Sequence, residues 1–259
     1  MDCLDGLRQL EDGCIDLTIT SPPYDNLRTY KGFSFDFEGI AKELYRVTKQ
    51  GGVVVWVVGD QTINGSESGT SFKQALYFKE IGFNLHDTMI YLKDSASFPD
   101  TNRYYQVFEY MFVFSKGVPK TVNLIEDRKN IWGGETSYGK ASYRQKDGSL
   151  KVKDKIKVKE YGIRYNVWQI SNGKGRTTKD EIAYEHPAIF PEELANDHII
   201  TWSNKGDVVM DIFMGSGTTA KMAIVNDRKW IGFEISREYC EIIEKRINGL
   251  YPQLSIFDL

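Results

Sequence analysis

Apolar residues along this chain change their spacing several times, and each change marks an element. Leu4, Leu7 and Leu10 recur at helical intervals and predict a short helix. Ile15 and the run 17–19 are bulky or β-branched with no helical spacing, which predicts a short buried strand. From 37 to 48 the spacing is helical again, with Ile40, Leu44 and Val47 on one face, and Gly51-Gly52 is expected to stop that helix. The unbroken apolar run from Val53 to Val58 predicts a strand buried on both faces. Gly59 and Asp60 close it, so Asp60 is expected to line a pocket at the strand's carboxyl edge. A helix over 72–81 comes next, then strands over 83–92 and 107–114.

The same alternation returns near the end of the chain. A helix over 192–201 turns Leu194, Ile199 and Ile200 inward, and an apolar strand over 207–212 runs into a glycine-rich turn. A helix is predicted from Thr218, then a strand over 230–235. The last amphipathic helix spans 237–250, with Tyr239, Ile242, Ile243 and Ile247 on its apolar side. Helices alternating with strands indicate an α/β protein, and 259 residues are ample for a large core. No apolar run approaches the roughly 18 residues of a membrane span. The N-terminus has no signal-peptide pattern, and there is no internal repeat.

Two stretches carry candidate chemistry. The first is Thr20-Ser21-Pro22-Pro23-Tyr24, directly after the strand at 15–19. Two prolines remove two backbone donors and fix φ near −65°, so the chain leaves the sheet in a rigid extended turn. That turn presents a small hydroxyl, carbonyls and one aromatic ring at a strand's carboxyl end, where open α/β sheets bind ligands. It suits a planar exocyclic amine, whose lone pair is delocalised into its ring. Acceptors at Ser21 and at a prolyl carbonyl, Pro22 by preference, would draw the nitrogen toward tetrahedral geometry. Tyr24 would stack on the base, worth about 1–3 kcal/mol. Taken alone, the tetrapeptide is more simply read as an ordinary Pro-Pro turn.

The second stretch is Asp211-Ile212-Phe213-Met214-Gly215-Ser216-Gly217-Thr218-Thr219. Gly215 and Gly217 permit positive φ and let a ligand approach the main chain at a helix N-terminus. No Lys follows the second Gly, so this is not a P-loop. One strand later, Glu234 is an acid at a strand end, placed to take both hydroxyls of a ribose.

Together these stretches resemble the β-class DNA amino-methyltransferases, which use S-adenosylmethionine to methylate N4 of cytosine or N6 of adenine. The resemblance covers nearly the whole chain. It includes residues 3–10 and His186-Pro187-Ala188-Ile189-Phe190-Pro191-Glu192 as well as the two motifs. It implies a Rossmann-like methyltransferase sheet, mostly parallel with a terminal antiparallel hairpin, in circularly permuted motif order and with an inserted target-recognition region. Ser21, Pro22, Pro23 and Tyr24 are then the catalytic loop. Thr20, His186, Pro187, Phe190, Asp211, Phe213, Gly215, Ser216, Gly217, Thr218 and Glu234 hold the cofactor, with S-adenosylhomocysteine as product. Residues 2–4 resemble the end of a strand near the cofactor's adenine, which makes Asp2 either an adenine contact or a helix N-cap. In this family Ser at the first position of the tetrapeptide leans toward cytosine N4; adenine N6 is the alternative, and a catalytically inactive DNA-binding subunit is the alternative of another class.

Charge adds the expected partner. The chain is formally −3, yet residues 116–180 hold 16 basic and 7 acidic residues, about +9. Such asymmetry suits a phosphate-binding surface on an acidic body. The chain therefore divides into a catalytic half (1–115), a DNA-recognition insert (116–180) and a cofactor half (181–259). Lysines alternating over 151–159 have strand period with one charged face; a solvated lysine-rich hairpin is the alternative. Candidate DNA contacts are Arg28, Arg103, Lys140, Arg144, Lys153, Lys155, Lys157 and Arg176, with Tyr30, Tyr104 and Tyr105 nearby in the sequence. The target base would be flipped out, because its amine is unreachable in the stack. Three scattered cysteines, Cys3, Cys14 and Cys240, suggest a reducing cytoplasm and no metal site. None is set up as the thiolate that cytosine C5 chemistry needs. The resemblance implies a cytoplasmic enzyme of prokaryotic or phage origin acting on double-stranded DNA. A homodimer and a cognate restriction endonuclease remain open as partners, and no membrane is expected.

Overall fold

A computed structural model of the chain describes residues 1–23, 35–95, 101–136, 142–152 and 155–250. Tyr24, Arg28, Tyr30, Lys140 and Lys153 lie outside the described residues.

Seven strands form one sheet: β1 (Ile15–Thr20), β2 (Thr48–Val58), β3 (Asn84–Leu92), β4 (Phe108–Ser115), β5 (Val167–Gln169), β6 (Val208–Asp211) and β7 (Lys229–Gly232). Their order across the sheet is β5-β3-β4-β2-β1-β6-β7. β4 is antiparallel to both β2 and β3, and the other pairings are parallel. The sheet is therefore mostly parallel, with the hairpin expected from 83–92 and 107–114. After β1 the chain crosses to β2 on one side; after β6 it crosses to β7 on the other. β1 and β6 are neighbours, Leu17 facing Val209 and Thr18 facing Met210. The crevice outside their carboxyl ends is thus the topological switch point of the sheet, where ligands bind in open α/β folds.

Helices cover both faces. Val54, Trp56 and Val58 of β2 pack with α1 (Cys3–Leu7), α2 (Phe37–Val47) and α3 (Thr70–Glu80) through Leu7, Ile40, Leu44, Val47 and Phe78. Val53, Val55 and Val57 point the other way, toward Leu194, Ile199 and Trp202 of α4 (Glu192–Trp202) and Met222 of α5 (Thr218–Val225). Ile243 and Ile247 of α6 (Arg237–Asn248) pack on Met214 and Ala220. Among the described residues no helix is long and apolar enough to cross a membrane.

Local details depart from the sequence reading. Gly51-Gly52 does not stop α2: the helix ends at Val47, the Thr48 hydroxyl donates to Leu44 O at 2.6 Å, and β2 begins at once. The glycines lie inside β2, where Gly51 has φ of +83° and the register jumps from Ile15–Thr48 to Leu17–Val53. They make a bulge, a second use of the same conformational freedom. Cys3 and Leu4 open a helix rather than end a strand, and the Asp2 carboxylate caps it by accepting from Leu4 N at 2.8 Å and Asp5 N. In α4, Ile200 is only half-buried, while Asp197, His198 and Thr201 are buried.

Residues 124–165 form a separate compact unit, narrower than the 116–180 drawn from charge. The flanking segments belong to the larger unit, where β5 adds an edge strand beside β3. Within the smaller unit 128–129 pairs with 161–162, 142–144 pairs with 150–152, and Thr136 bridges to Lys157. Of the lysine alternation, Lys151 lies in the strand at 150–152 and Lys157 in the bridge to Thr136. None of its described residues is buried, and Ile131 and Trp132 are 91% and 71% exposed.

One core position is mismatched to its surroundings. Thr18 is fully buried in the middle of β1, and its hydroxyl has no hydrogen-bond partner among the described residues. A desolvated, unpaired hydroxyl costs about 1–3 kcal/mol. Thr18→Val keeps the shape and should raise stability by about 1 kcal/mol, or about 2–4 °C in melting temperature for a chain of this size. A lower melting temperature would show that the hydroxyl is satisfied.

Candidate active site

β1 and β6 deliver the two motifs to adjacent points on the sheet edge. At the end of β1 the Thr20 hydroxyl donates to Asp211 Oδ1 at 2.7 Å, and Asp211 is the last residue of β6. The other carboxylate oxygen accepts from Thr219 in the first turn of α5 at 2.8 Å, and Phe213 N donates to Oδ1 at 3.0 Å. Asp211 is only 7% exposed. Burial raises its pKa to about 6, opposed by the bonds from Thr20, Phe213 N and Thr219 and reinforced by the charge of Glu234. One carboxylate therefore ties the strand that leads into Ser21-Pro22-Pro23 to the turn that follows β6.

That turn is fixed from several sides. Met214 N donates to Phe233 O at 3.1 Å, and Gly217 N to Met214 O at 2.7 Å. Gly217 caps α5 with φ of +79°, a region that L side chains avoid, and a Cβ there would stand 3.0 Å from Ile243. Glu234, two residues past β7, accepts from Gly215 N at 2.9 Å through one oxygen. Its other oxygen accepts from Ile235 N and Ser236 N at 2.9 and 2.8 Å. The acid is thus held at the turn's edge by backbone donors, with its side chain half-buried.

The segment 186–190 approaches the same turn. His186 is buried, and a Cβ on Gly215 would lie 3.0 Å from its Nε2. Its Nδ1 accepts from Ala188 N at 3.1 Å, and its ring meets Tyr239 edge-on at 4.3 Å. Phe190 packs against the core under α4, whereas Pro187 is exposed. Ser216 and Thr218 are buried in the turn, and the Phe213 ring lies 5.8 Å from that of Phe35. Thr20, Asp211, Phe213, Gly215, Ser216, Gly217, Thr218, Glu234 and His186 are thereby brought to one region.

Other candidates are placed differently. Asp60 accepts from Ser71 N at 2.9 Å, from the Ser71 hydroxyl, and from Ser68 Oγ at 3.1 Å, so it caps α3 from a distance. Arg103 donates to Gly65 O and lies 3.8 Å from Glu67, and Arg176 pairs with Asp94 at 2.7 Å. Arg144, Lys155 and Lys157 are exposed in the small unit. Tyr104 is fully exposed. Burial and the neighbouring Asp2 charge push the Cys3 thiol up to about 12, and burial raises Cys14 and Cys240 as well. The sequence reading missed Arg246, whose guanidinium reaches the turn. The signal was its place four residues after Ile242, on the apolar side of α6.

A family model described as DNA methylase matches residues 15–245. This chain belongs to the N6/N4 DNA methylase family. The orphan methyltransferase M.BamHII of Bacillus amyloliquefaciens is 65% identical over 239 residues, covering 92% of this chain and 90% of the relative. The solved PvuII DNA methyltransferase (cytosine-N4-specific) has the same fold at a TM-score of 0.69, with 23% identity over 98% of this chain and 86% of its own. A putative DNA modification methylase of Thermus thermophilus, complexed with S-adenosyl-L-methionine, superposes at a TM-score of 0.65 with 20% identity, over 98% and 93%. The protein is accordingly an S-adenosylmethionine-dependent DNA amino-methyltransferase, with the Rossmann-like sheet the sequence predicts.

The residues at the switch point fit that cofactor in kind. They offer a turn whose Gly215 and Gly217 carry no Cβ, a carboxylate at the next strand end and aromatic rings. Asp211 also gives the site a pH signature. Its folded pKa near 6 exceeds the usual value of 3.8, so its contribution to stability is full below about pH 4 and lost as pH rises through about 6. Melting curves from pH 4 to 7 should show the protein losing about 2 kcal/mol relative to Asp211→Asn, most of the linkage equivalent of that displacement. Parallel curves would contradict the buried, protonatable carboxyl.

Proposed function

We propose that this enzyme methylates N4 of cytosine at a specific double-stranded DNA sequence, acting on a base flipped into the switch-point crevice. The observation that carries this reading is Ser21, the residue directly after Thr20 at the carboxyl end of β1, beside the β6 turn. Its hydroxyl oxygen and the Pro22 carbonyl are the acceptors for the two amine protons. Accepting both localises the nitrogen lone pair, which conjugation otherwise spreads over the ring. Tyr24 stacks on the base and excludes water from its face. When bound, S-adenosylmethionine supplies an electrophilic methyl group and becomes S-adenosylhomocysteine.

Thr20, Phe213, Gly215, Ser216, Gly217, Thr218 and Glu234 are assigned to hold that cofactor, with His186, Pro187 and Phe190 closing over it. Glu234 takes the ribose hydroxyls. Asp211 acts through Thr20 and Thr219, and Asp2 serves as the cap of α1. Displacement at the methyl forms the N–C bond as the C–S bond breaks, and the amine proton, far more acidic after methylation, passes to solvent. Rate enhancement then rests on positioning and water exclusion, with no strong base needed.

The unit 124–165 is the DNA-binding lobe. It holds eleven of the sixteen basic residues of 116–180, including Arg144, Lys155 and Lys157, and it has exposed aromatic side chains and no buried residue among those described. These features support phosphate contacts made by a lobe that tightens on its ligand. The relative M.BamHII is named as an orphan, which supports an enzyme that works in the cytoplasm without a cognate endonuclease.

The amine is decided by nucleoside mass spectrometry of mixed genomic DNA incubated with the enzyme and labelled S-adenosylmethionine. Labelled N4-methylcytosine is expected, reduced about a hundredfold or more by Ser21→Ala with cofactor affinity retained. Labelled N6-methyladenine would overturn the choice of base. Full turnover by Ser21→Ala would remove the amine-polarising role.

A further inference from the structure

Behind the G-S-G turn lies a charged cluster that no part of the reaction uses. Arg246 of α6 has a fully buried side chain, and all three of its guanidinium nitrogens are engaged. Nη1 donates to the Ser216 carbonyl at 2.5 Å, with the Ser216 and Thr218 hydroxyls at 3.1 and 3.2 Å. Nε donates to Asp180 at 2.9 Å and Nη2 to Glu192 at 2.8 Å. Lys221 of α5 reaches the same two carboxylate oxygens, each at 2.8 Å, and Thr178 donates to Glu192 at 2.6 Å. Two cations and two anions thus balance, which is what a buried charge requires.

The placement of the two acids gives the cluster its meaning. Asp180 and Glu192 stand at the two ends of the segment that carries His186, Pro187 and Phe190. Arg246 therefore holds both ends of that segment and the turn facing it with a single planar group. His186 itself closes the arrangement between Gly215 and Tyr239 of the same helix. A rigid fork can fix three acceptors at set angles, which a lysine ammonium cannot do.

We infer that Arg246 is a positioning residue for the cofactor, with Lys221 as its support: it sets the gap between the 186–190 segment and the 215–217 turn before the cofactor arrives. This rests on the reading that those two segments hold S-adenosylmethionine. Arg246 is fully buried behind the turn, so its effect falls on affinity and not on the chemical step.

The test is calorimetric titration of S-adenosylmethionine into Arg246→Lys, alongside kcat at saturating cofactor. The Kd should rise about tenfold or more, the equivalent of losing one hydrogen bond to a charged group. The kcat should stay close to wild type, giving a split between KM and kcat. Glu192→Gln keeps the packing and removes one charge, so it should weaken binding in the same direction and serves if Arg246→Lys does not fold. Wild-type affinity in a folded Arg246→Lys, with only a lower melting temperature, would overturn the proposal and leave Arg246 as a staple of the fold. Glu234→Gln is titrated in parallel: weakened binding there keeps the cofactor assignment standing if Arg246 fails, and wild-type affinity in both variants overturns the assignment of the turn as well.

Discussion

The structure depends on one buried carboxylate. Asp211 ends β6, and two hydroxyls close on it from opposite sides, Thr20 at the end of β1 and Thr219 at the start of α5. Three donors offset part of the cost of burying the group, and burial in turn strengthens each bond. Parallel pairing of β1 and β6 fixes where the two strands end. The carboxylate fixes how the chain leaves each of them. The loop that we propose polarises the amine and the turn that we propose faces the cofactor therefore share one frame, as an in-line methyl transfer requires.

Much of this was legible in the sequence because the functional turns need unusual residues. Two prolines after a strand cannot continue it, and Gly215 and Gly217 flank a turn in which Gly217 caps α5 at positive φ. The apolar spacing of α2 and α6 and the unbroken run of β2 also told their own burial. The failures have particular causes. Gly51-Gly52 reads as a helix stop, yet a glycine at positive φ serves a β-bulge equally well, and only the neighbouring strand's register decides. Asp60 sits at a strand end like a pocket residue, but Ser68 and Ser71 fold back onto it, a contact set by the path of the chain between them. Asp2 reads as an adenine contact or a helix cap, and its carboxylate accepts from the amides of Leu4 and Asp5 as a cap does. The compact unit is narrower than the basic stretch because charge does not mark packing: 116–123 and 166–180 are basic but belong to the sheet unit.

Polar groups in this protein divide by what they support. Asp211, Glu234 and Arg246 are partly or wholly buried and arrange backbone, so the turn meets its cofactor in a set shape. The described lysines of 124–165 are exposed and lie in a unit with no buried residue among those described. A catalytic frame must be rigid to place reacting atoms, whereas the lobe that we propose reads DNA gains from adapting to it. The sequence places these opposite demands in separate segments.

The central claim is that Asp211 couples the two loops, and it is tested most directly by single-turnover methyl transfer in Thr219→Val at saturating cofactor. Thr219 lies in α5, on the cofactor side of the carboxylate, away from the amine loop. If the carboxylate holds both loops in one frame, the rate of the chemical step should fall about tenfold or more even when the cofactor site is filled. A wild-type rate at saturation, with only cofactor affinity reduced, would show that the loops are set independently and would contradict the account.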